Sequence, residues 1–412
     1  MLFRSDDEMT DPVALLQILI RAQRDGEAAV QRLVAAEARS LGCSVEIVRY
    51  RPGDVPMVGE FASARAIDAG ERESVVARFA GTGGGRCLIF FAHPDGEPVA
   101  GAERWKHDPF AGTVEGGRIH GWGVADDLSG VAIMIEGLRA ALATGCAPAG
   151  DVILASTPSK RHARGVSALL HGGLRADAAV YLHPAESGVG LREIKAFCLG
   201  QLDFRITVQG KPPPTNEISH LAFTHQATNP ADLLMDIHRR LSAFVSRRGE
   251  TLRHPLLERS ANLLISHLDV GRAGAHTRIA AQGIMEGALT LLPGEDLAEV
   301  EKQVEAVVGE GARLDWVSGV SGAEVPIDSP LYRLVARSVA AVTGQSPYVN
   351  PLHTASDIRN PIVQAGIPTV GLGPLGGDLT QNGLTDEWVD LEDYRRAVEV
   401  AAAIIDGWCG TV

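Results

Sequence analysis

Three runs of this chain are apolar without a break in rhythm: RCLIFFAH (86–93), DVILAST (151–157) and AAVYLH (178–183). A strand with one wet face alternates apolar and polar residues. An unbroken apolar run instead suits a strand covered on both faces, as in a parallel sheet packed between helices. Helical periodicity fills the intervals: SGVAIMIEGLRAALATG (129–145) ends at Gly145, a suitable C-cap, and GVSALLHGG (165–173) is a shorter helix. Buried strands alternating with helices predict an α/β fold, a sheet with helices on both faces. Upstream, residues 11–42 read as one helix and SVEIVRY (44–50) as an alternating strand.

After residue 198 the pattern changes. CLGQLDFRITVQG (198–210) alternates with period two, NPADLLMDIHRRLSAFV (229–245) is an amphipathic helix, and NLLISHL (262–268) and GIMEGALTLL (283–292) are strand-like. A helix follows at 295–309. This order predicts a small α+β unit inserted at 198–312, leaving 1–197 and 313–412 as the main domain. The serine-capped helix 329–344, the strand IPTVGLG (367–373) and the helix 391–408 then return to the first sheet.

With 412 residues and 45% hydrophobic content, the chain is long enough for more than one core. The net charge of -13 is spread along the chain, which argues against a nucleic-acid surface. The opening MLFRSDDEMTDPVALLQ is acidic where a secretory signal is basic. No stretch approaches the roughly 20 apolar residues of a membrane helix. Cys43, Cys87, Cys146, Cys198 and Cys409 are odd in number and scattered, as free thiols in a reducing compartment would be. A cytoplasmic enzyme, without a nucleic-acid or membrane partner, is the expectation.

The chemistry-bearing residues cluster at strand ends, where open α/β sheets gather their ligands. AHPDGEP places His93 and Asp95 just past LIFFA; an imidazole with a nearby carboxylate suits a metal site. GWGVADD then presents Asp126 beside a helix start, with Gly121 and Gly123 permitting a tight backbone path. GTGGGRC (81–87) precedes a strand rather than joining a strand to a helix, so it is a turn and not a phosphate cradle. No GxSxG elbow is present.

The succession AHPDGEP, W..DPF, GGRIHGWGVADD resembles the zinc metallopeptidase and amidohydrolase family of acetylornithine deacetylase, succinyl-diaminopimelate desuccinylase, aminoacylase and glutamate carboxypeptidase. The resemblance continues through GQLDFRITVQGK, LLPGEDLAEVEKQV, HTASDIRNP and IPTVGLGP. It implies a zinc-exopeptidase-type mixed sheet with an inserted lid and dimerisation domain, and hydrolysis of the amide bond of a small N-acyl amino acid by a homodimer. It makes His93 a zinc ligand, Asp95 its supporting carboxylate and Asp126 the metal bridge. His220, nine residues before Asn229, corresponds to the lid histidine that relatives reach into the partner's site. His353 and Arg359 become substrate contacts.

The departures are as informative. Where the family carries a Glu-Glu pair, general base and second-metal ligand, this chain has Lys160 and Arg161. Gly383 stands in place of the histidine that completes the second metal, Thr290 occupies the slot of the lid arginine, and His183 replaces an acidic ligand of the first metal. Imidazole remains a competent zinc ligand. The expectation is therefore one zinc at most, or none, with His93, Asp126 and His183 as its ligands. Arg161, a fixed cation, is expected to pair with Asp126 or with substrate, and Lys160 to act as a base if its pKa is lowered, or otherwise as an oxyanion donor. A metal-independent enzyme performing acyl transfer or cyclisation, or a binding protein without catalysis, is the alternative.

Overall fold

The computed structural model describes residues 11–145, 147–184, 187–377 and 386–410. The three apolar runs become strands Leu88–Ala92, Val152–Ser156 and Ala178–Leu182, buried along their whole length. They lie at the centre of a six-stranded sheet in the order Ser44–Tyr50, Arg72–Phe79, Val152–Ser156, Leu88–Ala92, Ala178–Leu182, Thr369–Leu372. The first two strands join antiparallel and the remaining four run parallel. Side chains alternate across the sheet, so Phe90, Leu154 and Val180 meet one helical layer with Ile133, Leu138, Val335 and Ile404. Ile89, Phe91, Ile153 and Tyr181 meet the other, with Val166, Leu169 and Ile358. Both faces are dry, which is why these strands show no polar alternation; each such side chain contributes about 1.5–3 kcal/mol by its burial.

Residues 11–42 are not one helix. Val13–Ala22 and Glu27–Ser40 are separated by a short turn and by Gly26 at φ 84°, a conformation that only glycine adopts freely. Capping is conventional elsewhere: Ser329 accepts from the Tyr332 amide and Gly344 closes the same helix in the left-handed region.

A second sheet is antiparallel throughout, in the order Leu263–Val270, Gln282–Leu291, Gly200–Gln209, Ala312–Val320, Glu60–Ala62. Leu202, Phe204, Ile206 and Val208 from its middle strand pack against Leu234, Ile237, Leu241, Val300 and Val304 of the helices Pro230–Thr251 and Leu297–Val308. This sheet runs past residue 312 and recruits Glu60–Ala62 from far upstream. A smaller sheet of Gly376–Gly377, Trp388–Asp390, Arg118–His120 and Thr113–Glu115 braces the loop leading to Asp126. No helix among the described residues is long and apolar enough to cross a membrane, and Cys43, Cys87, Cys198 and Cys409 are free thiols. Cys146 lies outside the described residues.

Candidate active site

The parallel strands deliver their chemistry at one edge. His93 follows Leu88–Ala92, His183 follows Ala178–Leu182, and Lys160 lies in the turn after Val152–Ser156. Asp126 arrives from the opposite side, at the mouth of helix Ser129–Ala143. Its position is fixed by a residue that sequence reasoning passed over. Glu387, fully buried, accepts the backbone N–H groups of Gly123 (2.8 Å), Ala125 (2.7 Å) and Asp126 (3.0 Å). Burial, and then the Asp126 charge, raise the Glu387 pKa to about 8 against the pull of those three amides.

His93 Nε2 stands 2.9 Å and His183 Nε2 3.1 Å from the same oxygen, Asp126 Oδ1. All three side chains are buried, and their donor atoms lie within 4.8 Å of one another. Two imidazoles and a carboxylate at such spacing form a donor set that fits one zinc-type ion with room for a further ligand. His93 is oriented from behind, its Nδ1 3.0 Å from the Asp95 carbonyl and 3.3 Å from that residue's carboxylate. Behind His183 is Lys195, fully buried, whose Nζ lies 3.0 Å from Nδ1 and donates to the Pro184 carbonyl at 2.9 Å.

The Lys160 ammonium donates to Asp126 Oδ2, the carboxylate oxygen that the histidines leave. Its own backbone N–H and that of Ser159 are held by the Asp95 carboxylate, both at 2.9 Å. Asp95 in turn accepts from Arg72 (2.9 Å), a residue tied also to Glu27 and Asp68. The electrostatics follow from this packing. Burial works against the Lys160 charge, but the Asp126 carboxylate outweighs it and the pKa is raised. Burial likewise opposes ionisation of Asp126, yet His183, His93 and Lys160 bring its pKa well below the usual range. Burial also opposes the His93 charge, and the carboxylates of Asp126 and Asp95 reverse that, raising its pKa. The Asp126 carboxylate thus favours the charged form of Lys160.

Arg161, expected to pair with Asp126 or with substrate, does not reach Asp126. Its side chain is half exposed, 4.0 Å from Glu97, on the far side of the turn. The reason is local: Arg161, His162 and Arg164 all take positive φ (51°, 51° and 56°), so successive side chains of this turn diverge. His220 belongs to the second sheet's unit, where it is buried with Nδ1 accepting from the Ile279 amide (3.0 Å), and it is absent from the cleft wall of a single chain. His353 is hydrogen-bonded to the buried Glu193, behind the wall rather than in it. Gly383 lies outside the described residues.

The cleft itself holds about 200 Å³ and is lined by His93, Asp126, Ser159, Lys160, Tyr181, His183 and the segment Thr354–Asp357. Ala355 in that segment has φ 57°, a strained value for a residue with a Cβ. Ser159, Ala355 and Asp357 also border a second pocket of about 240 Å³ between the two sheets. Its floor is Glu60, whose carboxylate meets Arg359 (2.7 Å), His162 (3.3 Å) and Arg164 (3.7 Å). Arg359 is therefore engaged by protein charge, although its Nε and that of Arg164 are buried without a hydrogen-bond partner among the described residues. Nothing in the sequence marks Glu60 or Lys195; both matter only through contacts made in three dimensions.

The profile of peptidase family M20/M25/M40 matches residues 89–407. A succinyl-diaminopimelate desuccinylase from Methylobacterium sp. (strain 4-46) is 26% identical over 416 residues, covering 96% of each chain. Among solved structures, an M20 family metallo-carboxypeptidase from Sulfolobus solfataricus superposes with a TM-score of 0.70 at 14% identity, over 98% of this chain and 100% of that one. A dinuclear metal-binding peptidase from Bacillus subtilis gives 0.62 at 15% identity, over 95% and 98%.

Proposed function

The chain belongs to peptidase family M20/M25/M40, and we propose that within it this protein is an amidohydrolase that cleaves the amide bond of a small N-acyl amino acid or related compound, with no more than one zinc in its cleft. The observation that carries this reading is the meeting of His93, His183, Asp126 and Lys160 at one point: three donors for an ion, and an ammonium on the remaining oxygen of the carboxylate that would otherwise bridge to a second one. Zinc bound by His93, Asp126 and His183 would supply a Lewis acid for the scissile carbonyl and an acidified water. The rest falls to the protein. Asp95 orients His93 and fixes the Lys160 backbone. Lys160, charged at neutral pH, stabilises negative charge developing on the substrate oxygen but accepts no proton. The base role is thereby left unfilled in the cleft wall of a single chain; only ordinary rates of hydrolysis would assign it to His162 or to a partner's histidine equivalent to His220.

The pocket over Glu60 adjoins the cleft through shared walls and suits the remainder of the substrate, with Arg359 in its lining, while His353 supports the cleft segment only from its bond to Glu193. The unit built on the second sheet serves as lid and dimerisation domain. Its outer strand Leu263–Val270 is an open edge with Leu264 and Leu268 exposed, which a two-fold related copy would cover. A cytoplasmic location accords with the free thiols.

One observation favours a second reading. Asp126 is already satisfied by two histidines and a lysine, a network that needs no ion for neutrality, so a metal-independent enzyme of diverged chemistry is the alternative. The deciding experiment is turnover of a panel of N-acyl amino acids, succinyl-diaminopimelate included, before and after chelation. The proposal expects hydrolysis slower than in relatives by roughly 10²–10⁴, the worth of a positioned general base, abolished by chelator and restored by zinc. Turnover that survives complete metal removal overturns the zinc assignment in favour of the second reading. Ordinary rates with two ions at Asp126 overturn the role given to Lys160.

A further inference from the structure

A second group of metal-competent side chains lies outside the cleft and plays no part in the chemistry above. One nitrogen of His107, one of His120 and a carboxylate oxygen of Asp386 lie within 4.8 Å of one another. The two imidazoles stack with centroids 4.3 Å apart. His107 Nδ1 is hydrogen-bonded to Asp386 Oδ2, and Asp386 also receives the amides of Lys106 (2.8 Å) and His107 (2.9 Å), which fix its orientation. On the outer side, His107 Nε2 is 3.1 Å from Glu115. An ion pair of His107 with its two carboxylates would explain part of this. It leaves His120 unexplained: that residue is 9% exposed, and its buried Nδ1 has no partner among the described residues, an arrangement that folded proteins avoid unless a ligand is supplied.

We propose that His107, His120 and Asp386 form a structural site for a divalent transition ion of the zinc type, with Glu115 as the outer carboxylate that orients His107. Two imidazoles and one carboxylate select borderline ions over magnesium or calcium, and a carboxylate on the far nitrogen of a ligating histidine is the usual support for such a ligand. The location gives the site a purpose. His120 ends the strand Arg118–His120 just before the loop Gly121–Asp126, and it pairs in register with Trp388. Asp386 directly precedes Glu387, which clamps that loop by three amides. An ion here would staple together the two segments that hold Asp126, without touching substrate. The inference does not depend on the reading of the cleft.

Zinc titration of the whole chain and of two variants separates the sites. The parent should bind about two equivalents, His120→Ala about one, and the cleft variant His93→Ala/His183→Ala about one, retained at the outer site. Zinc should raise the thermal midpoint of the cleft variant, and this rise should vanish when His120→Ala is added. If the cleft variant folds and binds no zinc, the outer group is only a stacked pair with an ion pair, and the proposal fails. Should that variant not fold, anomalous diffraction at the zinc edge from the parent chain decides. A peak among His107, His120 and Asp386 supports the site, and its absence from crystals whose cleft is loaded overturns it.

Discussion

Replacing Glu60 by glutamine should cost this protein a large part of its stability while changing almost no volume. Glu60 lies on the strand Glu60–Ala62, nearly fully buried, and faces Arg359, His162 and Arg164. Burial alone would raise its pKa; the Arg359 charge, with His162, reverses this and brings it from 4.5 down to about 2. At about 1.4 kcal/mol for each tenfold change in proton affinity, the folded state gains about 3 kcal/mol from ionised Glu60. The sign sets the window. Because the folded pKa is the lower one, this stability is complete above about pH 4.5 and drains away as the pH falls toward 2. Glu60→Gln forfeits it at every pH and leaves two buried guanidinium groups facing a neutral amide. Urea unfolding of parent and variant at pH 7 and at pH 3 reads both effects. The variant should be about 3 kcal/mol weaker at pH 7, and the gap should narrow clearly at pH 3. A difference below about 0.5 kcal/mol at pH 7, the range of an indifferent surface change, refutes the reasoning, as does a gap that stays constant with pH.

Lys160→Ala and Arg161→Ala, adjacent in sequence, should part company: the first should lower kcat/KM by about 2 kcal/mol or more, as expected for a buried charge-assisted contact, and the second should stay within a fewfold of the parent. Equal losses in both, measured on the best substrate of the panel, would contradict the divergence of the two side chains. Light scattering at micromolar concentration should give a mass near twice the 43.6 kDa of one chain; a stable monomer would remove the lid-edge contact and with it any role for His220 in a neighbour's site.

How far the sequence could be read depended on the range of each interaction. The central strands were legible because burial on both faces writes itself into a local run such as LIFFA. His93, Asp126 and His183 were legible because each ends a strand or opens a helix, so their convergence follows from the topology of a parallel sheet. The strand Arg72–Phe79 was not, since ERESVVARF carries charges on an antiparallel strand that is partly solvated. That Arg161 does not meet Asp126 was hidden for a different reason. Adjacent residues in a helical turn diverge, and which of two cations meets Asp126 is settled by the positive φ at Arg161, which no residue there announces. Glu60, Lys195 and Glu387 act through partners more than ten residues away in sequence, and a single sequence has no means to display such pairings.

The short strand Glu60–Ala62 has a mechanical consequence. An inserted unit attached only at its two ends could swing on a pair of linkers. Here a third tether crosses over: Ala62, Phe61 and Glu60 are laddered to Ser318, Gly319 and Val320. Movement of the unit as a lid therefore has to carry this short strand with it or break its ladder, so the loop that holds Glu60 travels with the lid or pays for staying behind.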